Sequence, residues 1–140
     1  MTQLIPIAGG GSTVTRTIGA AWVNEGTTLS TPVANVSVHI PINATIKSVT
    51  VLGEGGPAPG SPITGSCKVD VYNNTLANFP PTVADEITGS PLPGITAGQT
   101  FTDSTLTGWT TSLTAGDVVA FHLQSTSTFA RITVQLELEE

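Results

Sequence analysis

The sequence reads SCKVDVY at residues 66–72 and RITVQLELEE at residues 131–140. In both stretches apolar residues occupy every second position, which places them on one face of a β-strand. Similar runs recur along the chain between clusters of Gly, Pro, Asn and Thr, and these leave no room for an amphipathic helix. We therefore expect an all-β protein with at least seven strands and no helix longer than two turns. The strand spacing favours an antiparallel β-sandwich of the jelly-roll type.

The same alternation predicts which side chains form the core. In four separate segments, one face of the predicted strand is apolar while the other carries polar or charged residues. The members of the apolar faces are Val49, Val51, Val69, Val71, Val119, Phe121, Ile132, Val134 and Leu136.

Composition limits the classes of partner. The chain has 140 residues, a length typical of one domain, and a formal net charge of −6 with only four Lys and Arg residues. Nucleic acid is therefore an unfavourable partner, because affinity for its backbone depends on positive charge. No apolar run is long enough for a membrane span, and the N-terminus lacks the features of a secretory signal. We expect neither a membrane partner nor a signal peptide.

Cys67 is the single cysteine of the chain. An internal disulfide and a cysteine-built zinc site are therefore excluded. Since Cys67 lies between strand residues, we expect it to be a small buried apolar group.

Three motifs in the middle of the chain form a longer pattern. They are VDVY at residues 69–72, PPTVADEI at residues 80–87 and DSTLTGWTT at residues 103–111, and the last is followed by AGD at residues 115–117. Together they resemble a β-domain that recurs in virion proteins of tailed bacteriophages, in tail fibres and in head-associated accessory proteins. The resemblance covers residues 66–122 and implies a virion module without specifying its ligand.

No catalytic constellation is visible. His39 lies in an alternating run and His122 follows Phe121, and a structural imidazole is the simpler interpretation of each. The aspartates are isolated in sequence and lie beside turns, where Asp commonly accepts bonds from backbone N–H groups: Asp70, Asp85, Asp103 and Asp117. We predict that the protein is not an enzyme and has no cofactor and no metal. A glycosidase pair and a calcium site built from distant loops are the alternatives.

Carbohydrate binding requires exposed aromatic side chains. Trp109 lies inside DSTLTGWTT, and we expect a packing anchor whose indole N–H bonds a carbonyl rather than a sugar platform. An exposed ledge for a surface ligand, such as a host glycan, is better placed at Tyr72, Phe79, Pro80 and Pro81.

Residues 1–35 are predicted to be an N-terminal arm or edge strands that serve in assembly, and residues 36–140 the β-sandwich domain. Within this segment, residues 14–23 are largely apolar and lack the acidic residues that discourage edge pairing. The interface candidates are Val14, Arg16, Ile18, Trp22 and Val23. The resemblance implies a homotrimer, or tight docking on a shell protein. Removal of residues 1–30 is expected to leave a folded domain that no longer assembles.

The first functional hypothesis is a bacteriophage virion structural protein. The chain would be a capsid decoration or cement subunit on the outside of the head, made in the host cytoplasm, with the major capsid protein or other virion proteins as partners. The short length favours the head, because a fibre needs a long trimeric shaft. The alternative is a receptor- or carbohydrate-binding module of a tail fibre, tail tip or collar.

Overall fold

A computed structural model describes residues 13–24, 27–55 and 63–140. These residues form nine β-strands and two short 3-10 turns, Leu76–Asn78 and Val83–Asp85. For the described part of the chain, the expectation of at least seven strands and of no helix longer than two turns is confirmed. The strands in chain order are β1 (Thr15–Val23), β2 (Val36–His39), β3 (Ala44–Glu54), β4 (Gly65–Thr75), β5 (Gly94–Gly98), β6 (Thr100–Asp103), β7 (Ser112–Leu113), β8 (Asp117–Ser127) and β9 (Arg131–Glu139).

The strands form two antiparallel sheets that enclose one core. The first sheet has the order β1-β9-β3-β6, with the short β7 paired to β3, and the second has the order β2-β8-β4-β5. Four strand pairs are nested in sequence: β1–β9, β2–β8, β3–β6 and β4–β5. The chain therefore folds as one long hairpin whose two arms are wound into two sheets. This is the strand arrangement of a jelly roll, so the predicted antiparallel β-sandwich is confirmed.

The core lies between the sheets and follows the period-two pattern. In β9, inward residues are fully buried while Gln135 and Glu137 face outward and are exposed. This alternation is a direct consequence of the pleat, which sends successive side chains to opposite faces. All nine predicted core residues are 0% exposed: Val49, Val51, Val69, Val71, Val119, Phe121, Ile132, Val134 and Leu136.

Phe129 fills the end of the core where the chain passes from one sheet to the other. It lies between β8 and β9 and is 0% exposed. A Cβ added at Gly53 of β3 would meet the Phe129 ring at 2.5 Å, and one at Gly65 of β4 would meet it at 2.9 Å. Each sheet therefore contributes a glycine that makes room for the ring. The Phe129 carbonyl accepts a hydrogen bond from the N–H of Leu29 at 2.7 Å, which ties the segment before β2 to this end.

β1 is an edge strand of the five-stranded sheet. It pairs with β9 through nine residues, from Thr15 opposite Glu139 to Val23 opposite Arg131. Trp22 is 5% exposed, and its Nε1–H donates to the carbonyl of Ala34 at 3.0 Å, just before β2 in the other sheet. The sandwich therefore extends into the chain before residue 36. The part of the predicted arm that precedes residue 13 lies outside the described residues.

Cys67 lies on the core side of β4 and is 2% exposed. Burial raises the pKa of its thiol, so the group stays protonated and apolar at neutral pH. Its predicted role as a small buried group is confirmed.

The burial of Phe129 generates a prediction on stability. Phe129→Ala is expected to lower the free energy of unfolding by about 3–5 kcal/mol, because it removes buried ring surface and leaves a cavity between the sheets. Equilibrium denaturation with urea measures this change. The matched control is Phe79→Ala, since Phe79 is 56% exposed and the same truncation there is expected to cost no more than about 0.5 kcal/mol. Equal costs at the two positions would contradict the described core.

Candidate functional site

The five predicted interface residues on and beside β1 differ in exposure. Val14 and Val23, at the two ends, are 46% and 49% exposed. Arg16 is exposed and forms an ion pair with Glu140, with Nε 3.0 Å from Oε2. Ile18 is partly buried against the core, and Trp22 belongs to the core. Val14, Arg16 and Val23 are thus available to a partner, and Ile18 is accessible in part. Trp22 is not available, because its side chain faces inward and its N–H is already bonded.

The outer edge of β1 pairs with no other strand in the part of the chain that the structure describes, and we call it the free edge. At the two ends of the β1–β9 ladder, Glu140 N–H donates to the Val14 carbonyl and Asn24 N–H donates to the Ala130 carbonyl, each at 2.9 Å. Bonded and non-bonded pairs alternate along an antiparallel ladder, so the even-numbered residues of β1 bond to β9. The N–H and C=O groups of the odd-numbered residues therefore point to the free edge. These residues are Thr15, Thr17, Gly19, Ala21 and Val23.

An apolar cleft of about 200 Å³ lies where the edges of the two sheets approach each other, between β1 and β2. Ile18 and Leu138 line it from the first sheet, and the chain that follows β2 lines it with Ile40 and Ile42. Arg16 and His39 provide polar groups in its lining. Apolar surface therefore extends from β1 across this cleft to the second sheet.

The four residues of the predicted ledge do not share a surface. Phe79 is 56% exposed and Pro80 is exposed, while Pro81 is buried. Tyr72 is 5% exposed, because the chain between β4 and β5 folds back over it and Glu86 forms a bridge to it. The exposed part of the ledge is therefore Phe79 and Pro80. Leu76 and Val83 nearby in sequence are 58% and 71% exposed.

Tyr72 belongs to a polar cluster in which Tyr72 and Asp70 are buried. Its hydroxyl donates to Asp70 Oδ2 at 3.2 Å, and its ring stacks on His122 with centroids 5.8 Å apart. His122 Nδ1 lies 2.8 Å from Asn35 Oδ1. Burial raises the pKa of Asp70, and the charge of Glu86 adds to this. Burial and the neighbouring Asp70 together raise the pKa of Tyr72 to about 12. Asp70 is thus a carboxyl group held in surroundings that disfavour its charge.

The other three aspartates stabilise local structure. Asp103 accepts hydrogen bonds from the N–H groups of Thr105 and Leu106, at 2.9 and 3.3 Å. Asp117 accepts from the N–H of Thr114 at 2.9 Å and from the amide of Asn73 at 3.0 Å. The predicted roles of Asp103 and Asp117 as turn formers are confirmed.

Asp85 completes a capping box on the turn Val83–Asp85. The N–H of Thr82 donates to Asp85 Oδ2 at 2.8 Å, and Asn74 Nδ2 donates to Oδ1 at 2.8 Å. These bonds, with that of the Thr82 backbone strongest, lower the pKa of Asp85. The carboxylate is therefore engaged in folding the 76–85 segment.

Two cavities lie side by side and share Ser90 and Leu92 in their linings. The first, of about 420 Å³, is also lined by Pro91, Phe101, Thr102, Asp103, Thr105, Thr107 and Trp109. The second, of about 360 Å³, is also lined by Asp70, Val83, Glu86, Thr88, Gly89 and Gln124. We call the two together the Ser90 cleft. It brings Asp70 and Asp103, which are distant in sequence, to the same surface region.

Trp109 lines the first of these cavities. Its ring is partly buried against the core, which agrees with the predicted packing role. Its N–H donates no hydrogen bond within the described part of the chain, whereas the N–H of Trp22 bonds to a carbonyl. The hydrogen bond to a carbonyl that we expected for the Trp109 N–H is therefore not made in the described part of the chain, and Trp22 makes such a bond instead.

The sequence did not indicate the Ser90 cleft. Its lining comes from β4, β6, β8 and two loops, and it includes Ser and Thr residues of a kind that occurs throughout the chain. The one usable signal was the DSTLTGWTT motif, which places a carboxylate, hydroxyls and an indole within seven residues of one another.

Neither a metal centre nor a membrane-spanning helix is found in the part of the chain that the structure describes. No group of three or more His, Cys, Asp or Glu side chains there is arranged to hold a metal ion. No helix there has the length and apolar character needed to cross a membrane.

A scan of protein-family models and a search of curated proteins each found no match to this chain.

The opposite pKa directions of Asp70 and Asp85 predict opposite pH profiles for two matched substitutions. The pKa of Asp70 is raised in the folded state. Ionisation of Asp70 therefore lowers the free energy of unfolding as the pH rises above 3.8, the ordinary pKa of this carboxyl group. Asp70→Asn removes this loss, and the stability of the variant relative to the parent is expected to increase from about pH 3 to about pH 7.

The pKa of Asp85 is lowered, so its stabilising effect is present above 3.8 and is lost as the pH falls through the folded-state pKa. Asp85→Asn is therefore expected to destabilise at neutral pH and to match the parent at acid pH. Urea denaturation of both variants across this range measures the profiles. If the stability difference from the parent changed with pH in the same way for both variants, the environments described for Asp70 and Asp85 would be contradicted.

Proposed function

We propose that the chain is a non-enzymatic structural subunit of a tailed-phage virion, a decoration or cement subunit bound to the outside of the head. The observation that carries the proposal is the free edge of β1. The five odd-numbered residues of this strand direct backbone groups to an edge that pairs with no strand among the described residues, and Val14 and Val23 near its two ends are exposed. A protein that stays monomeric usually protects such an edge with charge, proline or a covering loop. Here Arg16 is the single charged residue of the strand.

The jelly roll is compatible with this role. Eight-stranded jelly rolls recur in viral capsid proteins, and they recur also in lectins, so the fold by itself assigns no function. The resemblance of residues 66–122 to phage virion modules supports a role in a virus particle rather than a role as a lectin.

The partner on the free edge is proposed to be a strand of the major capsid protein or of a neighbouring copy. Strand addition of this kind obtains affinity from main-chain hydrogen bonds and specificity from alternate side chains. The apolar cleft between β1 and β2 lies beside the same edge and would accept an apolar side chain of that partner. A homotrimer formed through this edge is the proposed assembly.

The structure also determines how this surface is best tested. Removing residues 1–30 would take away all of β1 and the buried Trp22, so it would damage the core as well as the interface. A point substitution on the free edge separates the two effects.

The alternative proposal is a receptor- or carbohydrate-binding module of a tail fibre, tail tip or collar. The observation in its favour is the exposure of Phe79 and Pro80, together with Leu76 and Val83, on the chain between β4 and β5. Exposed apolar side chains of this size on one segment are typical of a contact surface.

Thr17→Pro tests the free edge of β1. Proline removes an N–H that points away from β9, so the β1–β9 hydrogen bonds remain while strand addition is blocked. We expect the variant to remain folded by circular dichroism, to lose binding to phage particles assembled without this protein, and to sediment as a monomer. Co-sedimentation with the particles and analytical ultracentrifugation measure these effects.

The control for the free edge is Thr17→Ala, which keeps the N–H and is expected to bind and assemble like the parent. A second comparison is Phe79→Ala, which tests the segment between β4 and β5. If Thr17→Pro binds the particle normally and Phe79→Ala does not, the contact lies on that segment instead. If the parent protein binds no particle, the proposed function itself is wrong.

A further inference from the structure

We propose that the Ser90 cleft is a binding site for a neutral saccharide, with one sugar ring held against Trp109 and a neighbouring sugar in the cavity lined by Asp70 and Glu86. This activity would be additional to attachment on a particle. It concerns the isolated subunit and does not depend on where the subunit is placed in a virion.

The first cavity offers the aromatic surface that a sugar ring needs. Trp109 and Phe101 are both partly buried and both line it, with Pro91 and Leu92 beside them. The C–H groups on the face of a pyranose ring are apolar and pack against an aromatic ring, while its hydroxyl groups need polar partners. The N–H of Trp109, which has no partner among the described residues, is a further donor for a sugar oxygen.

Asp103 provides a fixed carboxylate in the same cavity. The N–H groups of Thr105 and Leu106 hold its two oxygens in place, at 2.9 and 3.3 Å. An ionised carboxylate has about four acceptor positions, so those not used by the backbone remain for sugar hydroxyls. The hydroxyls of Thr105 and Thr107 line the same cavity and can both donate and accept. An apolar surface with a few fixed polar groups is the general pattern of small-ligand sites.

Asp70, in the wall of the second cavity, has a buried acceptor oxygen with no partner among the described residues. Asp70 is only 5% exposed, and the oxygen without a partner is Oδ1. A buried polar atom without a partner is costly, so a ligand donor that reached Oδ1 on binding would be favoured. Glu86 and Gln124 line the same space with further acceptor groups. Each of the two cavities has a volume within the range of about 300–1,000 Å³ that is usual for ligand sites.

The charged residues that line the cleft indicate which class of saccharide it would bind. Asp70, Glu86 and Asp103 line the cleft, and the described residues lining it include no Lys or Arg. The whole chain has a formal net charge of −6. A sialic acid, a uronic acid or a sulfated sugar would therefore enter a field of its own sign with no cation to pair with. Neutral hexoses and N-acetylhexosamines carry many hydroxyl or amide donors and no such charge.

The test uses the full chain and a defined set of oligosaccharides. Maltotriose, cellotriose and tri-N-acetylchitotriose serve as neutral probes, and sialyllactose and tri-galacturonic acid serve as acidic probes. Calorimetry measures affinity up to about 10 mM ligand. Acrylamide quenching of tryptophan fluorescence locates the ligand, because Trp22 is buried and Trp109 is the partly exposed indole. We expect at least one neutral probe to bind and to protect Trp109 from quenching, and no acidic probe to bind.

Two variants assign the binding to the cleft. Trp109→Ala and Asp103→Asn are each expected to weaken binding of the neutral probe by about tenfold or more, whereas Phe79→Ala, outside the cleft, is expected to retain parent affinity. Because Trp109 also packs on the core, Thr107→Ala supplies a milder change, and it is expected to lower affinity in a chain of unaltered thermal stability.

Three results would overturn the proposal. These are the absence of binding by every neutral probe, a preference for an acidic probe, and binding that survives both Trp109→Ala and Asp103→Asn. None of them bears on particle attachment, which the Thr17→Pro experiment tests separately.

Discussion

The packing of β8 and β9 around Phe129 is the interaction on which the rest of the structure depends. These strands follow each other in the chain, yet one lies in each sheet, and each is flanked by two further strands. Phe129 joins them at the end of the core, in the space that Gly53 and Gly65 leave open. Because β1 and β3 bond to β9 while β2 and β4 bond to β8, this connection links the hydrogen-bonded ladders of both sheets.

The two proposed surfaces follow from this arrangement. Winding the chain as a nested hairpin leaves β1 and β2 together on one side of the sandwich and β5 and β6 together on the other. The first side has a free strand edge and an apolar cleft, which suit a protein partner. The loops that connect and follow β4, β5 and β6 enclose the Ser90 cleft, which suits a small polar ligand. Attachment and ligand binding would therefore occupy different parts of the subunit.

Much of the fold could be predicted from the sequence, because a half-buried strand shows its inward face as a period of two. The core residues from Val49 to Leu136 were predictable for this reason, and so was the sandwich. The candidate functional site was less predictable from the sequence, because side chains that are buried by loops show no periodic pattern. Tyr72 lies on the outer face of its sheet, where alternation indicates exposure, and only the folding back of Glu86 and its neighbours buries it. The aspartate turns were predictable, since Asp103 and Asp117 bond to N–H groups two or three residues away.

The central claim is that this chain is a subunit on the outside of a phage head, held through the free edge of β1. Cryo-electron microscopy of particles that carry the protein, compared with particles assembled without it, tests this most directly. The account predicts additional sandwich-shaped density on the outer surface of the shell, with β1 as the element nearest to a neighbouring chain. Identical maps of the two particles, or density in which β1 faces solvent, would contradict it.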